Sequence, residues 1–271
     1  MDITSTLTLN NGVTIPRLGL GVFRSGASTK DAVLRALEVG YRHVDTAHIY
    51  RNEEGVGQAL RESEVAREDV FVTTKLWNDD HGYDAALRAF DASVAALGVE
   101  TIDLWLIHWP VPEKRLESWR AMERVLKEGR VRAIGVSNFM VHHLEELRAN
   151  SEVVPAINQI EIHPFGQQAK VTAWCKEKGI AVQAYSPLTK AKRLDDPALG
   201  RVANAVGRTP AQVLIRWALQ HDLIVLPKSA DPGRIAENAA VFDFALDVPQ
   251  MEELDGLEEG LHTAWDPTTE P

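Results

Sequence analysis

The chain alternates a short apolar segment with an amphipathic segment eight times between residues 18 and 241, and this repetition constrains its fold more than any other feature. The apolar segments are rich in β-branched and aromatic residues, as buried strands are, and they read LGLGVF, HVDTA, VFVTTKL, IDLWLIH, VRAIGV, AINQIEI, AVQAYS and LIVLPK. Each is followed by a segment whose apolar residues have helical spacing, and such alternation is typical of a parallel sheet. Eight repeats in 271 residues favour a closed (β/α)8 barrel over an open doubly wound sheet.

A different pattern precedes the repeats. TLTLNNGVTIPRL contains two alternating runs on either side of Asn11-Gly12, which predicts a β-hairpin with a type I′ turn. We expect this hairpin, within residues 1–16, to cover the bottom of the barrel. No linker rich in Gly, Pro or Ser divides the chain, so residues 1–271 are predicted to form one domain that ends in a short irregular tail at 258–271.

The composition limits the classes of function. The chain has 39 Asp and Glu residues against 29 Lys and Arg, and its net charge of -10 argues against binding to nucleic acid or to an anionic membrane. No apolar run approaches the ~18 residues of a membrane span, and no signal-like segment is visible. The single cysteine, Cys175, excludes an internal disulfide and fits a reducing compartment. We therefore expect a cytoplasmic monomer.

Three consecutive predicted strands carry a polar residue at or near their C-terminal ends, where such barrels gather functional groups. Asp45, Lys75 and His108 occupy these positions, and Tyr50 follows in the loop after the second strand. A free phenol has a pKa of about 10, and a nearby ammonium such as Lys75 is expected to lower it. Asp45 can keep that ammonium charged, and His108 can orient a substrate oxygen. Together these residues predict proton donation to a carbonyl oxygen.

Each of the four residues has another interpretation when it is taken alone. Asp45 can belong to a helix start, Tyr50 can be a packing residue and His108 a structural histidine. Lys75 can form a Schiff base, as in aldolases on this fold. Only the joint placement at adjacent strand ends favours a proton-transfer site.

Longer motifs occur along almost the whole chain in a fixed order. HVDTAHIYRNEEGVG, TTKLWN, HWP, GVSNF, NQIEIHP and LPKSADPGRIAEN resemble the aldo-keto reductase family, and NEEGVG and TTKLWN are most similar to its short microbial branch that includes 2,5-diketo-D-gluconate reductases. The resemblance implies a TIM barrel and reduction of a small carbonyl substrate with NADP(H). It places the catalytic tetrad of the family at Asp45, Tyr50, Lys75 and His108, with Tyr50 as the general acid.

The cofactor contacts must lie outside a Rossmann motif, because Arg24 stands where the third glycine would follow Gly19-Leu20-Gly21. The resemblance implies that three polar residues hold the nicotinamide carboxamide, that one aromatic residue stacks on its ring and that two residues follow the pyrophosphate. In that order these are Ser137, Asn138 and Gln159, then Tyr185, then Ser186 and Leu188. Without the resemblance, Tyr185 reads as a core aromatic.

Two cations and a hydroxyl cluster near the last predicted helix start. Lys228, Ser229 and Arg234 surround this helix N-terminus, a favourable setting for a phosphate. The cluster predicts recognition of the adenosine 2′-phosphate, and hence NADP(H) over NAD(H); the alternative is a surface charge pair. By resemblance only, Glu237 and Asn238 contact the adenine.

Mostly aromatic and apolar residues beside the tetrad are predicted to line the substrate pocket, and such walls admit a small carbonyl compound while excluding water. They are Phe23, Ile49, Trp77, Asn78 and Trp109. The same residues can instead pack at the top of the barrel. The tail is short, so we expect a rather open mouth, and we expect no metal site. Two other functions remain open, a cofactor-sensing regulatory protein with little turnover and a Schiff-base aldolase that uses Lys75.

Overall fold

The computed structural model describes residues 1–270, so Pro271, the last residue of the predicted tail, lies outside the described residues. The chain begins with a hairpin of β1 (Thr6–Thr8) and β2 (Thr14–Pro16), as predicted. The predicted type I′ turn is wrong. Leu9 N donates to Val13 O at 2.8 Å, which leaves a three-residue connection in which Gly12 has a φ of +84° and Asn11 does not have a positive φ. This geometry is a turn followed by a glycine bulge.

Eight parallel strands then form the predicted barrel, each paired with the next along the chain. They are β3 (Leu20–Gly21), β4 (His43–Asp45), β5 (Phe71–Leu76), β6 (Ile102–Ile107), β7 (Val131–Ser137), β8 (Ile157–Glu161), β9 (Ala181–Tyr185) and β10 (Ile224–Leu226). Seven of them lie within the segments predicted from the sequence, and β7 extends one residue beyond VRAIGV, to Ser137. The C-terminal ends of neighbouring parallel strands meet at one end of the barrel, which sets the place of a site.

The barrel closes between its first and last strands. Gly19 N donates to Val225 O at 2.9 Å, and Gly21 N donates to Pro227 O at 3.1 Å. A Cβ atom on Gly19 would lie 2.6 Å from His43 Nδ1 and 2.7 Å from Leu226 Cδ2. The Gly19-Leu20-Gly21 segment therefore belongs to a tightly packed seam of the barrel.

The hairpin covers the bottom of the barrel, as expected. Its buried residues Leu9 and Ile15 share an apolar cluster with residues at the N-terminal ends of the strands, including Phe71, Ile157 and Ile224. Another apolar cluster packs the outer faces of the strands against the helices. The hydrophobic core thus has one part inside the barrel and one part outside it. The C-terminal end of the barrel interior is occupied by polar residues.

Ten helices lie among residues 1–270, and eight of them match the sequence prediction. The ranges are α1 (Thr29–Val39), α2 (Glu53–Glu62), α3 (Tyr83–Leu97), α4 (Arg115–Lys127), α5 (Val141–Ala149), α6 (Ala169–Glu177), α7 (Pro197–Val206), α8 (Pro210–Gln220), α9 (Pro232–Ala239) and α10 (Val248–Asp255). None of these helices is long and apolar enough to span a membrane.

The sequence analysis missed α7 and α10, although both have local start signals. Asp196 caps α7 by accepting from Ala198 N at 2.9 Å, with a proline at the next position. A capping box formed by Asp247 and Gln250 begins α10. Such acidic N-caps were the signals that could have predicted both helices.

Replacing Gly19 by Ala is expected to lower the free energy of unfolding by about 1–3 kcal/mol, because the added methyl group would overlap His43 and Leu226 at the seam. Gly200→Ala is the matched control, since nothing lies within 4 Å of its added Cβ in α7. Urea unfolding followed by tryptophan fluorescence would compare them. Equal stability of the two variants would contradict the tight seam.

Candidate active site

The four residues of the predicted tetrad lie together at the C-terminal end of the barrel. Asp45 ends β4, Lys75 is the penultimate residue of β5, and His108 directly follows β6. Tyr50 lies in a short 3-10 turn, His48–Tyr50, that follows β4. The Tyr50 ring centroid lies 5.2 Å from Lys75 Nζ and 5.7 Å from the centroid of the His108 ring.

Lys75 and Asp45 form a buried ion pair. Lys75 Nζ donates to Asp45 Oδ1 at 2.6 Å and to Thr46 O at 2.8 Å, and the lysine is fully buried. Burial raises the pKa of Asp45 and lowers the pKa of Lys75, while the attraction between the two charges opposes both shifts. Two acceptors around the ammonium fix it at one position beneath the phenol.

A chain of polar side chains continues from Asp45 into the barrel. Gln159 Nε2 donates to Asp45 Oδ2 at 2.7 Å and to Gln183 Oε1 at 2.6 Å. Gln183 Nε2 lies 3.4 Å from His43 Nε2, which in turn lies 3.2 Å from Thr73 Oγ1. Burial lowers the pKa of His43 to about 3, so this imidazole is neutral near pH 7. The network holds the second oxygen of Asp45 without adding another charge.

The structure corrects the expected ionisation of Tyr50. Burial raises the pKa of this phenol well above its ordinary value, and the negative charge of Asp45 acts in the same direction. A lowered pKa was expected from the nearby ammonium of Lys75, and that expectation is wrong. The charge of Lys75 is largely balanced by Asp45, so removal of the phenol from water is the stronger effect. Tyr50 is thus a fully protonated donor near neutral pH.

His108 faces the phenol as a neutral imidazole. Burial, followed by the charge of Lys75, lowers the pKa of His108 well below its ordinary value. The ring packs edge-on against Trp77 with centroids 5.3 Å apart, and the backbone O of His108 accepts from Asn138 Nδ2 at 3.0 Å. His108 Nδ1 is buried and has no hydrogen-bond partner among residues 1–270. A neutral ring held in this way can hydrogen-bond a substrate oxygen without competing for the proton.

A cavity of about 580 Å³ opens over the tetrad and extends across the barrel end. Fourteen of the predicted site residues line it, namely Phe23, Asp45, Ile49, Tyr50, Trp77, His108, Trp109, Ser137, Asn138, Gln159, Tyr185, Ser186, Leu188 and Lys228. Lys75 lies beneath its floor. Of the predicted substrate-pocket residues, Asn78 is not brought to the cavity; it begins the 3-10 turn Asn78–Asp80, where the chain leaves the barrel end.

The residues expected to hold a nicotinamide form a connected group on one wall. Tyr185 Oη donates to Asn138 Oδ1 at 2.8 Å, and Asn138 Nδ2 donates to Ser137 Oγ at 3.1 Å. Gln159 uses its amide nitrogen for Asp45 and Gln183, so its carbonyl oxygen is the atom left for a ligand amide. A flat aromatic ring beside amide groups fits a nicotinamide and its carboxamide. Ser186 and Leu188 line the cavity on the loop after β9.

Of the two cations of the expected phosphate site, one lines the cavity and the other lies outside it. Lys228 lines the cavity, and burial together with the charge of Arg234 lowers the pKa of Lys228, so the two cations are close in space. Arg234 does not line the cavity, and its side chain is exposed. The expected helix N-terminus is present at the start of α9, but Asp231 caps it and accepts from Arg234 N at 2.8 Å. Ser229 is buried, and its Oγ accepts from Asp231 N at 3.1 Å.

The two residues assigned to the adenine lie further along α9. Glu237 Oε1 accepts from Thr209 Oγ1 at 2.6 Å, and Asn238 is buried. Neither residue lines the cavity. Their assigned role stays a prediction. Within residues 1–270 no group of three or more His, Cys, Asp or Glu residues has the arrangement of a metal site.

The sequence analysis missed several residues that line the cavity. They are Gly21, Arg24, Pro187, Lys190, Leu226, Ala264 and Trp265. Trp265 is the most consequential, because its ring lies 5.0 Å from that of Trp109 and the tail therefore covers part of the mouth that was expected to be open. The signal available in the sequence was Trp265 itself, because a single large aromatic residue in a polar tail needs another side chain to pack against.

Comparison with known proteins agrees with this geometry. A family model described as "Aldo/keto reductase family" matches residues 17–259. A 9,11-endoperoxide prostaglandin H2 reductase of Trypanosoma cruzi is 49% identical over 266 residues, which cover 96% of this chain and 94% of that protein. A glyoxal reductase of Bacillus subtilis is 46% identical over 258 residues, or 94% of each chain. The structure of a Gox0644 mutant in complex with NADPH has a TM-score of 0.94 at 42% identity and covers 99% of both chains. The chain belongs to the aldo/keto reductase family.

Proposed function

We propose that this chain reduces small aldehydes and dicarbonyl compounds with NADPH, and that Tyr50 donates the proton that completes the alcohol. One observation carries the proposal: a single cavity joins Tyr50 and His108, above the buried Lys75–Asp45 pair, to the cation Lys228. The glyoxal reductase relative supports the substrate class, and the NADPH complex of Gox0644 supports the cofactor.

When bound, NADPH would supply the hydride that the carbonyl carbon accepts. The carbonyl oxygen then carries the negative charge of an alkoxide, which is a far stronger base than a phenolate. Tyr50 can therefore give up its proton even though burial raises its pKa. Lys75, 5.2 Å from the ring centroid, stabilises the phenolate that remains, and neutral His108 orients the substrate oxygen.

The structure disfavours the aldolase alternative. A Schiff base requires the lysine nitrogen to reach a carbonyl carbon, but Lys75 is fully buried, and its nitrogen already contacts Asp45 and Thr46. The presence of all four tetrad residues, together with the cavity above them, also disfavours a regulatory protein with little turnover.

The assembly and location of the chain are part of the proposal. We propose a single domain, supported by an apolar core cluster whose members run from Leu18 to Leu254, and we propose that it is a cytoplasmic monomer. The net charge of -10 disfavours nucleic acid as a binding partner. The cavity is the binding surface that the proposed reaction requires.

Tyr50→Phe is expected to lower kcat/KM for glyoxal about 10²–10⁴-fold, because the variant keeps the ring and removes the proton donor. The dissociation constant for NADPH, measured by fluorescence titration, should change little, since the ring still packs on Phe23 with centroids that are 4.9 Å apart in the present structure. Tyr83→Phe on α3 is the matched control and should keep full activity. Substantial turnover by the Tyr50 variant would remove Tyr50 from the acid role.

The raised pKa of Tyr50 predicts the pH dependence of reduction. A phenol whose pKa is raised stays protonated as the pH increases, so kcat with both substrates saturating should show no alkaline decline between about pH 6 and pH 9. Stopped-flow or steady-state absorbance of NADPH would measure the profile. A decline with an apparent pKa near or below about 8 would contradict the protonated donor.

Lys228→Gln combined with Arg234→Gln is expected to weaken NADPH binding about 10–100-fold, because both charge-assisted contacts to the 2′-phosphate are lost. NADH lacks this phosphate, so its dissociation constant should change about twofold at most. Arg124→Gln with Lys127→Gln on α4 removes the same charges outside the cavity and serves as the control. Equal weakening of both cofactors would show that the pair does not recognise the 2′-phosphate.

A further inference from the structure

The C-terminal segment, residues 258–270, lies across the open end of the barrel, and we refer to it as the strap. Leu261 N donates to Phe165 O at 2.8 Å near the start of the strap. Near its far end, Glu270 O accepts from His142 Nε2 at 3.0 Å. The strap is thus attached to the loop after β8 and to α5, and its middle passes over the cavity.

One buried carboxylate holds the middle of the strap. Glu161, at the end of β8, accepts from Thr263 N at 3.0 Å, from Ala264 N at 3.0 Å and from the Thr263 hydroxyl. Burial disfavours the charged carboxylate, but His163 and these strap donors outweigh that effect and lower the pKa of Glu161 to about 2. Glu161 is therefore ionised near neutral pH, and hydrogen bonds to a charged acceptor are the stronger kind.

The residue that follows these donors is Trp265, which forms part of the cavity wall. Its ring lies 5.0 Å from the Trp109 ring at an interplanar angle of 36°. Trp265 is nevertheless 58% exposed, so little of its surface is buried by neighbours that could hold it in place. The position of this indole consequently depends on the strap backbone at Thr263 and Ala264.

We propose that Glu161 is a positioning residue for substrate selection: by fixing the strap at Thr263 and Ala264 it holds Trp265 against Trp109 and limits the substrate end of the cavity to small carbonyl compounds. The inference rests on the proposed function and adds a specificity determinant to it. Glu161 does not line the cavity itself, so its effect on substrates passes through the strap. The tetrad lies outside this chain of contacts.

The test compares glyoxal, as a small probe, with 2-naphthaldehyde, as a bulky one. Glu161→Gln keeps the shape of the side chain but turns an amide NH₂ toward strap N–H donors. The KM for glyoxal is expected to rise about tenfold with kcat within about twofold, and the ratio of kcat/KM values should shift about tenfold or more toward naphthaldehyde. Glu258→Gln is the matched control, since Glu258 accepts from Gln167 N at 2.5 Å at the start of the strap, and it should leave the ratio unchanged.

A second variant shows whether Glu161 acts through Trp265. Trp265→Ala should shift the ratio in the same direction, and adding Glu161→Gln to it should cause no further shift beyond about twofold. An unchanged ratio in Glu161→Gln, or an equal additional shift in the Trp265→Ala background, would overturn the proposal. If Glu161→Gln fails to fold, Trp265→Ala still tests the proposal, because its side chain is 58% exposed, and an unchanged ratio overturns the proposal.

The wild-type protein separates this inference from the proposed function. If it turns over neither probe with NADPH, the proposed function fails. If it reduces glyoxal and the variants show the wild-type ratio, the reductase proposal stands and only the role of Glu161 is lost.

Discussion

The buried ion pair between Lys75 and Asp45 is the interaction on which the rest of the site depends. Removing both charged groups from water is costly. Their contact at 2.6 Å offsets that cost only when the remaining hydrogen-bond donors of the ammonium and acceptors of the carboxylate also have partners. Thr46 O accepts a further hydrogen bond from the ammonium, and Gln159 donates a hydrogen bond to the second oxygen of the carboxylate. Such a pair contributes little net stability to a fold. Its value is a positive charge held at a fixed place under Tyr50, the phenol that we propose as the proton donor.

Burial determines the behaviour of the groups around this pair. It keeps Tyr50 protonated and His108 neutral, so one residue can donate a proton while the other only forms a hydrogen bond. The same exclusion of water strengthens the interaction between Lys75 and the phenolate when it forms. A low-dielectric site of this kind suits a reaction in which charge appears briefly on one oxygen.

The sequence predicted the barrel and the tetrad because both depend on local pattern. Buried parallel strands read as continuous apolar runs, so Asp45, Lys75 and His108 stand out at their ends. The ionisation of Tyr50 could not be predicted in the same way, because it depends on how much water the folded barrel excludes. The position of the strap over the cavity was not predicted, for another reason. Its contact with Glu161 joins residues about a hundred positions apart, and nothing in either segment alone indicates the other.

The phosphate cluster shows a further limit of sequence patterns. Lys228 and Arg234 were expected beside a helix start, and the two cations are close in space. Asp231, which lies between them in the chain, caps α9 and uses one of the backbone donors at that helix start. Helix N-terminal residues of the capping type compete with anionic ligands for the same N–H groups. The two cations are therefore the main observation that supports recognition of the 2′-phosphate of NADPH.

Gln159 has two tasks that evolution cannot alter separately. Its amide nitrogen joins Asp45 to Gln183 and through it to His43 inside the barrel, while its oxygen is the atom left to face a cofactor. A substitution of Gln159 would therefore disturb the support of the ion pair, whatever else it changed in the cavity. The aromatic walls and the tail do not hydrogen-bond the ion pair, so substitutions there can reshape the cavity without removing a contact that holds Asp45 in place.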